Sequence, residues 1–463
     1  MMSISSSSSH PSTRRFSLAI ENFPLFSASF ASHAETRLHR PGQRFLSKPY
    51  DVATSVSPLG WVAVCSSKQV RLYNVRNENQ SREIPLAAEL SIPMSHKDER
   101  IRGIALSEDL LAVITHRRLL VYDEYRRHGG DVPSLVKEQR IDQNECWTPR
   151  SVSISQKGAP SVEGGATASI AVGGEGTSGV KVFRYIYMQG WNVENHCTTL
   201  TCPQNNGAIK VVGFSPLRSD AVYGLMAFAL STGNHLYCWN ISKQLSFKST
   251  IRLDPIWHVD CNASGSERAF RDEISTATLI ISPTGRSYIL CTVDHKPGSS
   301  LPRTFIVPID TFETSPQTLR QMIKPLPDGV VGSSVLAGAV SCNGRFVVVV
   351  EKGHNEVNMK LLTLRAAPMG GLTSSTTGLL SWVVKLRATS ADASRISISI
   401  SEQNAALEIT AVDGQGHIVC SRISVPEMLQ DRLRYLVPPP RQAAPFELAV
   451  SEEPADRIDI VPG

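Results

Sequence analysis

Val52-Ala53-Thr54-Ser55-Val56-Ser57-Pro58-Leu59-Gly60-Trp61-Val62-Ala63-Val64 is followed, after Ser66-Ser67-Lys68-Gln69, by Val70-Arg71-Leu72-Tyr73-Asn74. Apolar residues alternate with small polar ones, Val, Ile and aromatics are enriched, and Ser, Pro and Gly bound each run. That pattern reads as three short strands joined by two turns. The order returns at Ile104-Ala105-Leu106-Ser107, Leu111-Ala112-Val113-Ile114 and Leu119-Leu120-Val121-Tyr122-Asp123, with a turn at His116-Arg117. Further copies begin at Val152-Ser153-Ile154-Ser155 and Val211-Val212-Gly213-Phe214-Ser215-Pro216, the latter leading to His235-Leu236-Tyr237-Cys238-Trp239-Asn240.

Two later copies carry near-identical turns, Ser282-Pro283-Thr284-Gly285-Arg286 and Ser341-Cys342-Asn343-Gly344-Arg345, where a glycine suits a hairpin turn. The last candidate starts at Ile396-Ser397-Ile398-Ser399-Ile400-Ser401. Taking Ser57, Ser107, Ser155, Ser215, Ser282, Ser341 and Ser401 as equivalent gives a period of roughly 50 to 65 residues, near the range of propeller repeats. One such unit cannot bury both of its faces, whereas a ring of them can. The expected architecture is therefore all-β, a seven-bladed β-propeller. Only Val425 to Leu436 reads as helix, stopped by Pro438-Pro439-Pro440.

These residues resemble the WD40-repeat β-propeller family. The Ser-Pro-x-Gly turn, and the endings Val70-Arg71-Leu72-Tyr73-Asn74, Leu120-Val121-Tyr122-Asp123 and Tyr237-Cys238-Trp239-Asn240, stand where that family carries its Ser-Pro-Asp-Gly turn and Trp-Asp dipeptide. The resemblance spans residues 50–421 and is divergent: no copy opens with Gly-His and none closes with Trp-Asp. It implies a non-enzymatic scaffold or adaptor that binds protein partners through loops on the two faces of the ring.

The expected layout is a disordered Ser-rich tail over 1–13, the propeller over 14–450 and a C-terminal tail over 451–463. Phe16 to Phe30 and Phe446-Glu447-Leu448-Ala449-Val450 compete as the strand that closes the ring. The formal net charge is +5, and the first fifty residues hold six cations (Arg14, Arg15, Arg37, Arg40, Arg44, Lys48) less two acids (Glu21, Glu35), which is +4. The remaining body is close to neutral, which argues against a broad nucleic-acid face.

No apolar run is long enough to span a bilayer, so no transmembrane segment is expected. The nine cysteines are scattered and odd in number, several inside apolar runs, which favours a reducing compartment, cytosol or nucleus. The Ser-rich, acid-free start, with Arg14 and Arg15, also has the composition of a weak targeting peptide.

Three stretches exceed what hairpins need: Gln156 to Ala168, Leu253 to Glu273 and Ala366 to Thr377. The second gathers Trp257, His258, Asp260 and Cys261 with Arg268, Phe270 and Arg271. Trp257, His258, Arg268, Phe270 and Arg271 are candidate partner-binding residues, since Trp and Arg are frequent interface anchors. The same stretch also reads as an outer strand of the fourth unit followed by a turn.

Tyr125-Arg126-Arg127-His128-Gly129 resembles the Arg-Arg motif by which lipid-binding propellers hold phosphoinositide head groups, though His128 interrupts it. Arg126 and Arg127 are the candidates for that alternative, with peripheral membrane contact. His196, Cys197 and Cys202, or His258 and Cys261, lack the second ligand pair of a structural zinc site. Gly173-Gly174-Glu175-Gly176 is followed by a strand pattern rather than a phosphate-binding helix. Gly298-Ser299-Ser300 and Gly332-Ser333-Ser334 lack the second glycine of a nucleophile elbow. No catalytic set, metal or cofactor is expected; an enzyme using the central channel is the remaining alternative.

Overall fold

The fold is taken from a computed structural model. It describes residues 20–22, 53–74, 86–123, 134–140, 147–156, 166–176, 179–187, 191–203, 207–215, 225–241, 252–261, 273–281, 287–294, 304–309, 324–325, 334–340, 346–352, 357–366, 384–386, 397–403, 406–412, 418–424 and 458–462. Every regular element among them is a strand.

β1 (Ile20–Asn22) precedes the first sheet, which is β2 (Ala53–Val56), β3 (Trp61–Cys65), β4 (Gln69–Asn74) and β5 (Leu86–Ser91). The second holds β6 (Ile101–Leu106), β7 (Leu111–Thr115), β8 (Arg118–Asp123) and β9 (Ser134–Arg140). In the third lie β10 (Trp147–Ile154), β11 (Ala166–Gly176), β12 (Val180–Tyr187) and β13 (Trp191–Leu200). The fourth is β14 (Ile209–Phe214), β15 (Met226–Ser231) and β16 (His235–Asn240), edged by β18 (Trp257–Asp260); the intervening β17 (Arg252–Leu253) joins the third sheet parallel to β13.

β19 (Glu273–Ile281), β20 (Ser287–Asp294), β21 (Thr304–Pro308) and β22 (Lys324–Pro325) make the fifth sheet. The sixth is β23 (Ser334–Val340), β24 (Phe346–Lys352), β25 (Val357–Ala366) and β26 (Val384–Leu386). β27 (Ser397–Gln403), β28 (Ala406–Val412) and β29 (Ile418–Ser424) form the seventh, and β1 pairs antiparallel with β29 as its outer strand. An N-terminal strand thus pairs into the last sheet, within Phe16 to Phe30, one of the two segments left competing for that place. β30 (Ile458–Pro462), inside the segment read as a C-terminal tail, pairs with β25; its Ile458-Asp459-Ile460-Val461 alternation is what a sheet edge accepts. Residues 1–13, Val425 to Leu436 and Phe446 to Val450 lie outside the described residues.

The first strands of successive sheets, β2, β6, β10, β14, β19, β23 and β27, each touch the next, and β27 touches β2. That cyclic order is a propeller, with antiparallel sheets set radially around an axis. Hydroxyls stitch neighbouring inner strands: Ser55 Oγ accepts from the Leu106 N–H at 3.0 Å, and Ser151 Oγ donates to the Ile209 carbonyl at 2.9 Å.

The second, third and fourth sheets are buried on both faces, so their middle strands read as continuous apolar runs. In β7, Leu111 and Val113 pack toward the first sheet while Ala112 and Ile114 pack toward the third. In β15, Met226, Phe228 and Leu230 face the fifth sheet and Ala227 and Ala229 the third. A large side chain buried this way contributes about 1.5 to 3 kcal/mol.

The repeated serine has a defined task. It directly follows the inner strand, and its Oγ accepts the N–H of the residue whose carbonyl its own N–H reaches. Ser57 does this with Trp61, Ser107 with Leu110, Ser155 with Ser169 and Ser215 with Met226, the side-chain bonds spanning 2.9 to 3.2 Å. The two bonds close the first hairpin whatever the length of its loop. In the first copy Gly60, at φ 78°, lets the chain turn back within four residues.

Ser282 and Ser341 lie outside the described residues. The expected equivalence of Ser401 is corrected: it sits inside β27 opposite Glu408, because β27 runs on to Gln403.

Candidate functional site

Inner strands of consecutive sheets slip register near their starts. The irregularity falls between Ile101 and Gly103, Pro149 and Ser151, Ile209 and Val211, Ile274 and Thr276, and Val335 and Ala337. The residue skipped is Arg102, Arg150, Lys210, Ser275 and Leu336 in turn. A bulge at the rim of a closed sheet adds one residue and re-aims its side chain. The cores show the same slip, since Ile101 and Ile104 share one face of β6 although they are three positions apart.

The turns between second and third strands lie at this same rim. The Ser67 carbonyl accepts from the Ile101 N–H at 2.9 Å, and Asn234 Oδ1 accepts from the Ile274 N–H at 3.1 Å. Asn234 holds φ 59°, a conformation asparagine tolerates, and its carbonyl also accepts from Cys261.

Between β5 and β6, residues 92–100 wrap around the carboxylate of Glu99, which is fully buried. Arg118 Nε and Nη2 reach its two oxygens at 2.8 and 2.9 Å. Thr115 Oγ1 donates at 2.6 Å, and the Ser95 N–H and hydroxyl each donate at 2.8 Å. Burial alone pushes the Glu99 carboxyl up, but the bonds from Arg118, Thr115 and Ser95 outweigh it and hold it at about 2. Arg118 further donates to the Pro93 carbonyl at 2.6 Å and pairs with Glu138 at 3.3 Å. This carboxylate is a structural hub.

Around that hub the surface is cationic. Lys68, His96, Lys97, Arg100 and Arg102 are exposed, and Arg117 is partly so. Arg117 Nε donates to His116 Nε2 at 3.0 Å. Burial, with Arg117 and Arg102 nearby, pushes the His116 imidazole down despite Glu99 and Asp98, so it accepts that bond as the neutral ring. Farther along the rim the cations are neutralised: Arg150 Nε bonds Glu175 at 2.8 Å, and Lys210 pairs with Glu273 at 2.8 Å across two sheets.

Trp257 is buried in the core between the fourth and fifth sheets. His258, its neighbour on β18, turns to the other face and stacks on Tyr237 at 4.6 Å; its Nε2 lies 3.2 Å from Nδ1 of His235. Burial and the adjacent His235 hold the His258 imidazole low, against Asp260. Arg268, Phe270 and Arg271, and the Arg126-Arg127 pair, lie outside the described residues. Within the stretch from Leu253 to Glu273, Trp257–Asp260 is the outer strand of the fourth sheet, and residues 262–272 lie outside the described residues.

Among the described residues no three His, Cys, Asp or Glu side chains converge on a metal-binding geometry. Burial pushes the Cys202 and Cys261 thiols up to about 12 and those of Cys238 and Cys291 well above their ordinary value, so these sulfurs stay protonated and weakly nucleophilic. The Gly173-Gly174 pair is explained by packing: a β-carbon on Gly174 would occupy the place of the Trp147 indole.

Sequence reasoning missed Arg102, Arg150 and Lys210. The available signal was a cation standing second in Ile101-Arg102-Gly103-Ile104 and again in Ile209-Lys210-Val211-Val212, with buried residues three apart where a regular strand puts them two apart.

Solved structures similar to this chain include a mitotic checkpoint complex, matched at 12% identity over 91% of this chain and 97% of that chain with a TM-score of 0.46. The WD40 domain of Neurospora crassa Pan2 is similar at 11% identity over 80% of this chain and 88% of that one, TM-score 0.41. The β-propeller domain of Myceliophteria thermophila Cps50 (Swd1) is similar at 11% identity over 82% and 98%, TM-score 0.41. No protein-family model matches the sequence, and no curated protein matches it.

Proposed function

We propose that the chain is a non-enzymatic scaffold whose ring holds protein partners on the rim where the inner strands begin. The observation that carries this reading is the repeated bulge: a long cation, Arg102, Arg150 and Lys210, is placed at the same rim position in three consecutive sheets. Rigid hairpins present these side chains, so docking on them requires little ordering of the scaffold. The buried thiols are packing groups and the Glu99 carboxylate is fully engaged, so neither offers a reacting group. Cys65, Cys197, Cys202, Cys238, Cys261 and Cys291 are free, which supports residence in the cytosol or nucleus.

The test is co-purification of tagged full-length chain from cells, wild type against Arg102→Ala/Lys210→Ala. The reading expects partners held by wild type to be lost by the variant while its melting curve stays that of a folded protein. Recovery of the same partners in equal yield would place the docking surface elsewhere.

A further inference from the structure

The rim is not uniform, and its asymmetry lies in the sector formed by the first two sheets. Five cations, Lys68, Lys97, Arg100, Arg102 and Arg117, gather there, drawn from the β3–β4 turn, the 92–100 segment, the start of β6 and the β7–β8 turn. These pieces are neighbours: the Ile92 N–H donates to the Lys68 carbonyl, the Ile101 N–H to that of Ser67, and Arg102 and Asp98 both act on His116. The acid that would neutralise the group, Glu99, is turned inward and consumed by Arg118, leaving Asp98 as the exposed carboxylate of the 92–100 segment. None of the five cations has a carboxylate partner among the described residues, in contrast to Arg150 and Lys210.

We infer that this sector binds an acidic stretch of extended polypeptide belonging to a partner protein; the inference rests on the scaffold reading and specifies the partner's chemistry. The charge complement is direct, and the backbone that carries the cations is already ordered by its own bonds and by Glu99 before the ligand arrives. Nucleic acid would call for stacking platforms and a longer phosphate track. A membrane surface would call for exposed apolar side chains to insert. The one exposed large hydrophobic among the described residues is Leu135, on the outer strand of the second sheet.

The experiment uses purified full-length chain and a short fluorescein-labelled glutamate-rich peptide, read by fluorescence anisotropy at low and physiological ionic strength. Lys97→Glu/Arg100→Glu is expected to weaken binding about tenfold, and added salt to weaken wild-type binding. Asp98→Asn is expected to tighten binding about twofold, a gain that a misfolded variant would not produce. Equal affinity for wild type and the charge-reversed variant overturns the inference. So does equal binding of a lysine-rich peptide, or tighter binding of oligothymidylate or of phosphoinositide-containing vesicles. If the peptide result is negative while Arg102→Ala/Lys210→Ala still releases the cellular partners, this inference fails and the rim reading stands; loss of neither partner nor peptide on any rim substitution ends both.

Discussion

Thr54 and Ser397, 343 positions apart, fasten the first sheet to the last. Their hydroxyl oxygens lie 2.8 Å apart, and Ser397 Oγ is 2.7 Å from the Thr54 carbonyl. Ser397 has one proton and spends it on that carbonyl, so the Thr54 hydroxyl must be the donor between the two side chains. Ser397→Ala should cost about 1 to 2 kcal/mol, leaving a partly buried carbonyl short of a partner. Urea unfolding measures it, and a double-mutant cycle with Thr54→Val should show the two substitutions to be non-additive.

Ser215→Ala and Ser57→Ala remove the hydroxyl that receives the Met226 and Trp61 N–H groups, both of them buried. Each should lower stability by about 1 to 2 kcal/mol. Denaturant midpoints check this; two unchanged midpoints would mean that the serine repeats for a reason other than hairpin closure.

The Glu99 carboxyl titrates at about 2 in the folded chain, below its ordinary 4.5. Its stabilising contribution is therefore complete above about pH 4.5 and drains away as pH falls toward 2. Glu99→Gln leaves Arg118 buried beside a neutral group and should cost about 3 to 5 kcal/mol near neutral pH. Melting temperatures followed from neutral to acid pH should show the variant losing less over that acid interval than wild type.

Gly174→Ala brings a methyl group into the Trp147 ring, whose indole Nε1 donates to the Gly179 carbonyl at 3.1 Å and whose face carries Lys181. The ring must move, so the substitution should destabilise by about 2 kcal/mol. Near-ultraviolet circular dichroism should change with it.

The middle strands were legible because burial on both faces leaves runs such as Trp61–Cys65 and Leu111–Thr115 almost wholly apolar. The hairpin serines Ser57, Ser107, Ser155 and Ser215 were legible because each directly follows an apolar inner strand. Ser401 was misplaced because Ser397-Ile398-Ser399-Ile400-Ser401 alternates, so any of its serines satisfies the pattern and only the register with β28 tells them apart. The Glu99–Arg118 pair joins residues 19 apart through a fold that brings β8 beside the 92–100 segment, and no local pattern announces it. The rim was hidden for a related reason, since a bulge shifts the phase by one residue at a strand end, where alternation is weakest.

Cross-linking mass spectrometry of the full-length chain with its cellular partners, using an amine-reactive reagent, tests the account most directly. Inter-protein links should concentrate on Lys68, Lys97 and Lys210, lysines that lie at the bulged rim among the described residues. Links confined to lysines away from that rim would contradict it.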